Sequence, residues 1–376
     1  MPYSLPELLL ASAYEDPGRP FLFFAGRTHS RAEIAYGMRR VAGWLQRGHF
    51  AEGDTVALLL SNQPDFVVAW LGATLAGARV LSLDPVAPPE ENAALLDEAR
   101  PRVVIARPSA MPAVRAIGDW PSSLGTVIVG GAGMAGTTRW STVMDGDPAH
   151  GLSRSDGTLS TAAGGMARLL GIDEQDRIML VLPLSCTAAQ QSLAMAISTG
   201  ASIVLERGFS PATFWTRARN RGATQVSVAG WHLSQLYARA TRRNDSDHPI
   251  RQVLSVGTPT EIHEAVEHRF GVCVVEAFGS REAGFITVNP AERGRRKLGT
   301  AGLPVPWREV VVLDDAMLPV PPGIVGRICS RPRLQAPGGD HWQHTGAFGA
   351  TDEEGFLTVL GPPTRCYAAL LRQASS

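Results

Sequence analysis

Cysteine, net charge and long apolar runs are what this 376-residue chain has least of. Its four cysteines, Cys186, Cys273, Cys329 and Cys366, show no CxxC or metal-ligand spacing, which argues against a zinc site or a disulfide framework and fits a reducing cytoplasm. The 35 Lys and Arg residues balance 35 Asp and Glu, so no net field attracts nucleic acid or anionic lipid, and neither is expected as a partner. Apolar runs such as Val56 to Leu60 are too short to span a bilayer. Glu7, Glu15 and Asp16 surround the first apolar stretch, where a secretory signal would carry basic residues. A soluble cytoplasmic protein is expected.

What the chain has is glycine, proline and alternating apolar segments. With 39 Gly, 27 Pro and 44% hydrophobic residues, the composition suits an α/β protein with many turns. The length allows two or three domains or one large α/β unit. Ser4 with Glu7 and Ser30 with Glu33 have capping-box spacing, and the second helix is expected to run to about Gln46. Short β-branched runs then alternate with helical patterns: Val56–Leu60, a helix from Asp65 to Leu75, Val80–Leu83, and a helix near Pro89–Glu98. The rhythm resumes with Ile178–Leu182, a helix Ala189–Ser198 capped by Gly200, Ser202–Leu205, a helix from Pro211, Gln225–Val228, a helix from Trp231, Val253–Val256, Glu261–Phe270 and Val274–Ala277. Parallel strands covered by helices are the expected arrangement. After about Gly279, Val310–Leu313, Val325–Cys329 and Phe356–Leu360 are separated by turns with no room for helices, which predicts antiparallel β. Residues 130–155, rich in Gly, Asp, Ser and Thr, read as an irregular connector.

Several segments carry a family resemblance. They are Asp-Arg-Ile-Met-Leu-Val-Leu-Pro-Leu at 176–184, Phe-Gly-Ser-Arg-Glu-Ala-Gly at 278–284, Gly-Thr-Ala-Gly-Leu-Pro-Val-Pro at 299–306, Val-Pro-Pro-Gly-Ile-Val-Gly-Arg-Ile at 320–328 and His-Thr-Gly at 344–346. In the N-terminal third, Gly-Asp-Thr-Val-Ala-Leu-Leu-Leu-Ser-Asn at 53–62 joins them. In order and content they resemble the adenylate-forming superfamily of acyl-CoA synthetases, nonribosomal-peptide adenylation domains and luciferases. The resemblance implies that family's large N-terminal domain: an α/β fold of two βα sheets with a small antiparallel β-barrel. It would form one module with a first βα half at 1–150, a second at 151–280 and a β-rich region at 281–365, and without the family's mobile C-terminal domain.

The resemblance also implies missing ATP chemistry. The family's phosphate loop is rich in Ser, Thr and Gly and followed by a Lys, so that backbone N–H groups and an ammonium surround the triphosphate. Here Asp147-Pro148-Ala149 resembles the stretch before that loop and His150-Gly151-Leu152-Ser153 the stretch after it. The family's ribose-binding Asp follows its Thr-Gly pair, where this chain has Ala347. The expected function is therefore ATP-independent handling of a small acyl or aryl acid, or of its thioester on CoA or a carrier protein's phosphopantetheine, with no cofactor. The alternatives are a noncatalytic binder of a partner enzyme or carrier protein, and an ATP-dependent ligase subunit completed by another chain.

The expected pocket walls lie near 182–190, 228–235 and 255–282, with Trp231, Gly257, Thr258, Phe278, Gly279 and Ser280 as substrate-binding residues. The expected catalytic set is Cys186, His232, Arg281 and Glu282. Arg281 replaces a phosphate-contacting Thr and either braces a loop by pairing with Glu282 or offers its fork to a carboxylate or phosphopantetheine phosphate. Cys186 is either a small buried hydrophobe or a thiol activated at a helix start by a base such as His232. Trp231 either fills or shortens the substrate tunnel, and His232 is either a satisfied helical residue or a proton carrier. Arg293, Arg295, Arg296 and Lys297 read as a solvated loop or as a landing place for an acidic carrier or a CoA phosphate. Gly164-Gly165 inside a helix costs about 1 kcal/mol per residue relative to Ala and calls for close packing or pocket space.

Overall fold

Both predicted capping boxes form. The Ser30 and Glu33 side chains each accept the other's backbone N–H, at 3.1 and 2.9 Å, and Ser4 and Glu7 do the same. The computed structural model describes residues 3–48, 50–116, 125–128, 130, 136–149, 158–280, 283–292, 294–333 and 341–361. Two compact units divide the chain. The first holds Met1–Thr161 with Pro183–Ser185 and Leu205–Arg207, and the second holds the remainder.

In the first unit, helix α1 (Leu5–Glu15) precedes a hairpin of β1 (Pro20–Phe24) and β2 (Arg27–Ser30), then α2 (Arg31–Arg47). Next come β3 (Thr55–Leu59), α3 (Pro64–Leu75), β4 (Arg79–Ser82), α4 (Pro89–Ala99), β5 (Val103–Ala106), α5 (Met111–Arg115), β6 (Gly125–Ile128), β7 (Thr138–Arg139) and α6 (Trp140–Asp145). Its sheet runs β4-β3-β5-β6-β7, all parallel. Every residue of β3 is buried, as a strand with both faces covered must be. The expected irregular stretch at 130–155 thus contains β7 and α6. A six-residue helix is too short to persist by its own propensity, and α6 is held by its buried Val143 and by Arg40, which donates to the Met144 carbonyl. Beyond it, Asp147–Ala149 is clamped on α2: Arg47 donates to the Asp147 carbonyl at 2.8 Å, and Ala149 exchanges hydrogen bonds with Arg39 at 2.9 and 3.1 Å.

The second unit contains α7 (Thr158–Leu169, whose first turn belongs to the first unit), β8 (Arg177–Leu180), α8 (Thr187–Thr199), β9 (Ser202–Leu205), α9 (Phe214–Arg221), β10 (Gln225–Ala229), α10 (Gly230–Tyr237), β11 (Gln252–Val256), α11 (Thr260–Phe270), β12 (Cys273–Ser280), β13 (Gly284–Val288) and β14 (Leu303–Pro304). These strands are ordered β14-β13-β12-β11-β10-β8-β9. The β8, β10, β11 and β12 pairings are parallel, and β13 returns antiparallel on β12. Buried Asp176 ties the N-terminal edge together, accepting from Arg251 at 2.8 Å and from Thr224 at 2.5 Å. The antiparallel β expected after Gly279 is a curled four-stranded sheet of β15 (Arg308–Leu313), β16 (Gly326–Pro332), β17 (Gln343–Thr351) and β18 (Leu357–Leu360), in that order. Close packing accounts for Gly165 in α7: a Cβ there would lie 2.6 Å from the Trp307 ring.

Candidate functional site

Strand β12 runs three residues past the expected end at Ala277, so Phe278, Gly279 and Ser280 are strand residues. Side chains alternate along a strand, which places Glu276, Phe278 and Ser280 on one face. A cavity of about 400 Å³ opens beside this face, at the C-terminal ends of β11 and β12. Gly257, Thr258, Glu276 and Phe278 line it with His263, and Gly299–Ala301 completes a wall. Size and lining, apolar with a few convergent polar groups, suit a small organic ligand.

The turn after β11 is shaped around Glu276. Its carboxylate accepts the backbone N–H of Gly257, and that of Thr258 at 3.2 Å. Burial, opposed by these bonds, pushes the carboxyl up to about 7, so it exchanges a proton near neutrality. Gly257 has φ +75°, and a Cβ on neighbouring Gly230 would collide with its carbonyl, so the two turns abut through glycine. His263, on α11, is 3% exposed, and burial holds its imidazole below the ordinary value. Its Nε2 has no hydrogen-bond partner among the described residues and lies 3.8 Å from Glu267 Oε1. Neither Glu276 nor His263 is among the residues expected from sequence. The available signal was a carboxylate inside the apolar strand run Cys-Val-Val-Glu-Ala-Phe.

Three of the expected substrate-binding residues, Gly257, Thr258 and Phe278, line the cavity. Ser280 is occupied locally: its Oγ accepts the Ala283 N–H at 3.1 Å, and Gly279 abuts Gly284 across the hairpin. Arg281 and Glu282 lie outside the described residues. Trp231 and His232 lie in the first turn of α10 with ring centroids 3.8 Å apart and planes tilted by 31°, and Phe209 lies 4.1 Å from the imidazole. His232 Nδ1 accepts the Ala229 N–H at 2.9 Å, and burial lowers its pKa to about 3, so the ring is neutral with its proton on Nε2. That Nε2 has no hydrogen-bond partner among the described residues, so the ring can donate a hydrogen bond but offers no lone pair for use as a base. Cys186, 1% exposed, occupies the N-cap of α8, and neither nitrogen of His232 is hydrogen-bonded to its thiol. The described basic residues of the loop are each paired with a carboxylate. Arg296 forks onto Glu267 at 2.6 and 2.8 Å, Lys297 pairs with Asp352 at 2.6 Å and Arg295 with Glu292 at 3.5 Å, while Arg293 lies outside the described residues.

At the position where the resemblance places a ribose-binding carboxylate, Ala347 is 1% exposed and packs with Phe278, Ile286, Ile328 and Leu357. Among the described residues no group of three or more His, Cys, Asp or Glu is arranged to hold a metal ion. No helix among them is long and apolar enough to cross a membrane.

Two βα sheets, a cavity at parallel strand ends and a curled antiparallel sheet define the layered α/β architecture of adenylate-forming N-terminal domains. Residues 9–149 and 151–338 match the AMP-binding enzyme family, and the chain belongs to that family. It is similar to a crotonobetaine/carnitine–CoA ligase of Salmonella arizonae, 26% identical over 405 aligned positions that cover 93% of this chain and 77% of that protein. The alignment is longer than the chain itself, so the relative carries residues with no counterpart here. Among solved structures, a benzoate CoA ligase from Burkholderia xenovorans LB400 superposes with TM-score 0.83 at 18% identity, covering 96% of this chain and 80% of that one. An anthranilate CoA ligase in complex with anthranoyl-AMP superposes with TM-score 0.82 at 20% identity, covering 95% and 77%. At these identities the superpositions establish the fold.

Proposed function

We propose that this acyl-CoA-ligase-like protein binds a small acyl or aryl acid, or its thioester on CoA or a carrier protein's phosphopantetheine, and does so without ATP chemistry or a cofactor. The observation that carries this reading is Ala347. A methyl group in an apolar cluster stands where the resemblance calls for a carboxylate on ribose. Two further facts support it. Only residues 150–157 separate the clamped Ala149 from the start of α7, and they include no lysine. Lys297 is the single lysine of the whole sequence, and its ammonium is held by Asp352.

The cavity supplies what a carbonyl ligand needs. Glu276, poised near neutrality, holds a proton to donate to a carbonyl oxygen or accepts one from a nucleophile. Phe278 and Ala301 supply apolar walls. In this reading Glu276 takes the proton-carrying role expected of His232, and Arg281 keeps its proposed part as an anion-binding fork.

ATP–pyrophosphate exchange with a panel of carboxylic acids tests the negative half. Exchange at background is expected, and robust exchange overturns the reading in favour of a ligase. Turnover of acyl thioesters tests the positive half. A second reading, a noncatalytic binder of a carrier or partner enzyme, is favoured by the absence of a hydrogen bond between His232 and Cys186. Ligand binding in the cavity without turnover would select it.

A further inference from the structure

The balanced charge of the chain hides a local excess. Between residues 211 and 251 there are seven arginines and only two carboxylates, Asp245 and Asp247. Both carboxylates are engaged, Asp247 by Arg219 at 3.1 Å and Asp245 by Arg269 at 2.7 Å. Arg219 and Arg269 also donate to the carbonyls of Asn244 and Tyr237, fastening the segment after α10 to α9 and α11. A cleft of about 40 Å³ lies at this junction, lined by Arg219, Arg239, Arg242 and Arg269 with Asp245 as its one carboxylate. Arg239 and Arg242 are exposed, and among the described residues their guanidinium groups make no hydrogen bond or ion pair.

The location separates this cleft from the cavity at Glu276. Strands β10 and β11 are parallel, with Gln225 opposite Gln252 and Ala229 opposite Val256. Helix α10 leaves the C-terminal end of β10 and the chain re-enters at the N-terminal end of β11, so residues 238–250 lie at the opposite edge of the sheet. Five-residue strands span roughly 17 Å. The arginines therefore do not serve a ligand held at the strand C-terminal ends.

We propose that this cleft is a binding site for a phosphoryl dianion, either free phosphate or the phosphate of a phosphomonoester. With Arg219 paired to Asp247 and Arg269 to Asp245, Arg239 and Arg242 leave two positive charges that a single carboxylate ligand would not neutralise. A tetrahedral dianion accepts paired N–H donors from more than one fork at once. The cleft is small and opens to solvent, which suits a phosphoryl group whose remainder extends outward. Arg219 and Arg269 are already fixed, so only the exposed Arg239 and Arg242 need to be ordered on binding.

Calorimetric titration of the full chain with inorganic phosphate, at matched ionic strength against chloride, tests this. Saturable one-site binding is expected, about tenfold or more weaker in Arg239→Ala/Arg242→Ala. The exposed side chains of that variant leave the phosphate-free melting temperature unchanged. Arg239→Lys/Arg242→Lys, which keeps charge and loses the forks, falls between. Arg115→Ala, an exposed arginine of the first unit, binds as the native chain does. Titration with O-phosphoserine distinguishes the source: tighter binding than inorganic phosphate assigns the site to a phosphomonoester, and equal or weaker binding to free phosphate. Equal phosphate affinity in the native chain and both double variants, equal loss in Arg115→Ala, or binding of polyglutamate without phosphate would each overturn the proposal.

Discussion

Glu276 Oε1 accepts the backbone N–H of Thr258 at 3.2 Å, joining the middle of β12 to the turn that ends β11. This bond favours the ionised carboxylate while burial favours the neutral acid, and burial wins.

A carboxyl raised from 4.5 to about 7 stabilises the fold below pH 4.5, and that contribution is lost as pH rises through 7. The full effect is on the order of 3 kcal/mol at most. Glu276→Gln should remove this loss, so that denaturant unfolding of the variant between pH 4.5 and 7 shows stability rising more steeply with pH than in the native chain. An unchanged pH profile would show that Glu276 titrates normally.

His232 acts in the opposite sense. Buried neutral with its pKa lowered from 6.5 to about 3, it contributes stability above pH 6.5 that is lost as pH falls toward 3. His248 and His263, also lowered by burial, add to this acid loss. His232→Gln places a capping-box residue at the third helical position, where it can still accept the Ala229 N–H. The variant should lose less stability between pH 6.5 and 4.5 than the native chain, measured by urea midpoints across that range.

Ala347→Asp restores the residue type that the resemblance calls for, but inside an apolar cluster. It should destabilise the protein by about 3 kcal/mol or more and produce no melting shift with AMP or ATP. A stable variant whose melting temperature rises with AMP would place Ala347 at a nucleotide site that needs only its carboxylate.

Gly165→Ala should cost stability despite alanine's helix propensity, by about 1–3 kcal/mol, because the added methyl meets the Trp307 ring. Combining it with Trp307→Ala should give less than the sum of the two single losses in thermal unfolding, since the second change removes the collision.

The elements legible in the sequence were those whose local and tertiary signals agree. Ser30-x-x-Glu33 reads as a helix start because both halves of the box lie within four residues, and the observed helix Arg31–Arg47 matches it. The hairpin Pro20–Phe24/Arg27–Ser30 was not legible: its turn is Ala25-Gly26, and Ala25 adopts φ +46°, a conformation alanine does not announce. Strand β17 was hidden for a similar reason, since Gln-His-Thr-Gly-Ala-Phe-Gly-Ala-Thr has small residues where apolar side chains would mark a buried face. At the site, Phe278 was readable from a motif and Gly257 and Thr258 from the expected pocket wall at 255–282, whereas Glu276 and His263 become individual site residues only when β11, β12 and α11 converge. Arg296 was misread because sequence proximity grouped it with Arg295, although its partner Glu267 lies 29 positions away.

That buried Arg296–Glu267 fork, with side chains 6% and 2% exposed, has a consequence for how the molecule answers ionic strength. A desolvated pair is little screened, so added salt leaves the loop before Gly299 in place and the cavity wall with it. The exposed guanidinium groups of Arg239 and Arg242 meet salt directly, and counter-ions compete for them. A sodium chloride titration should therefore separate the two ends of one sheet, weakening anion capture at one while the small-molecule cavity at the other keeps its shape.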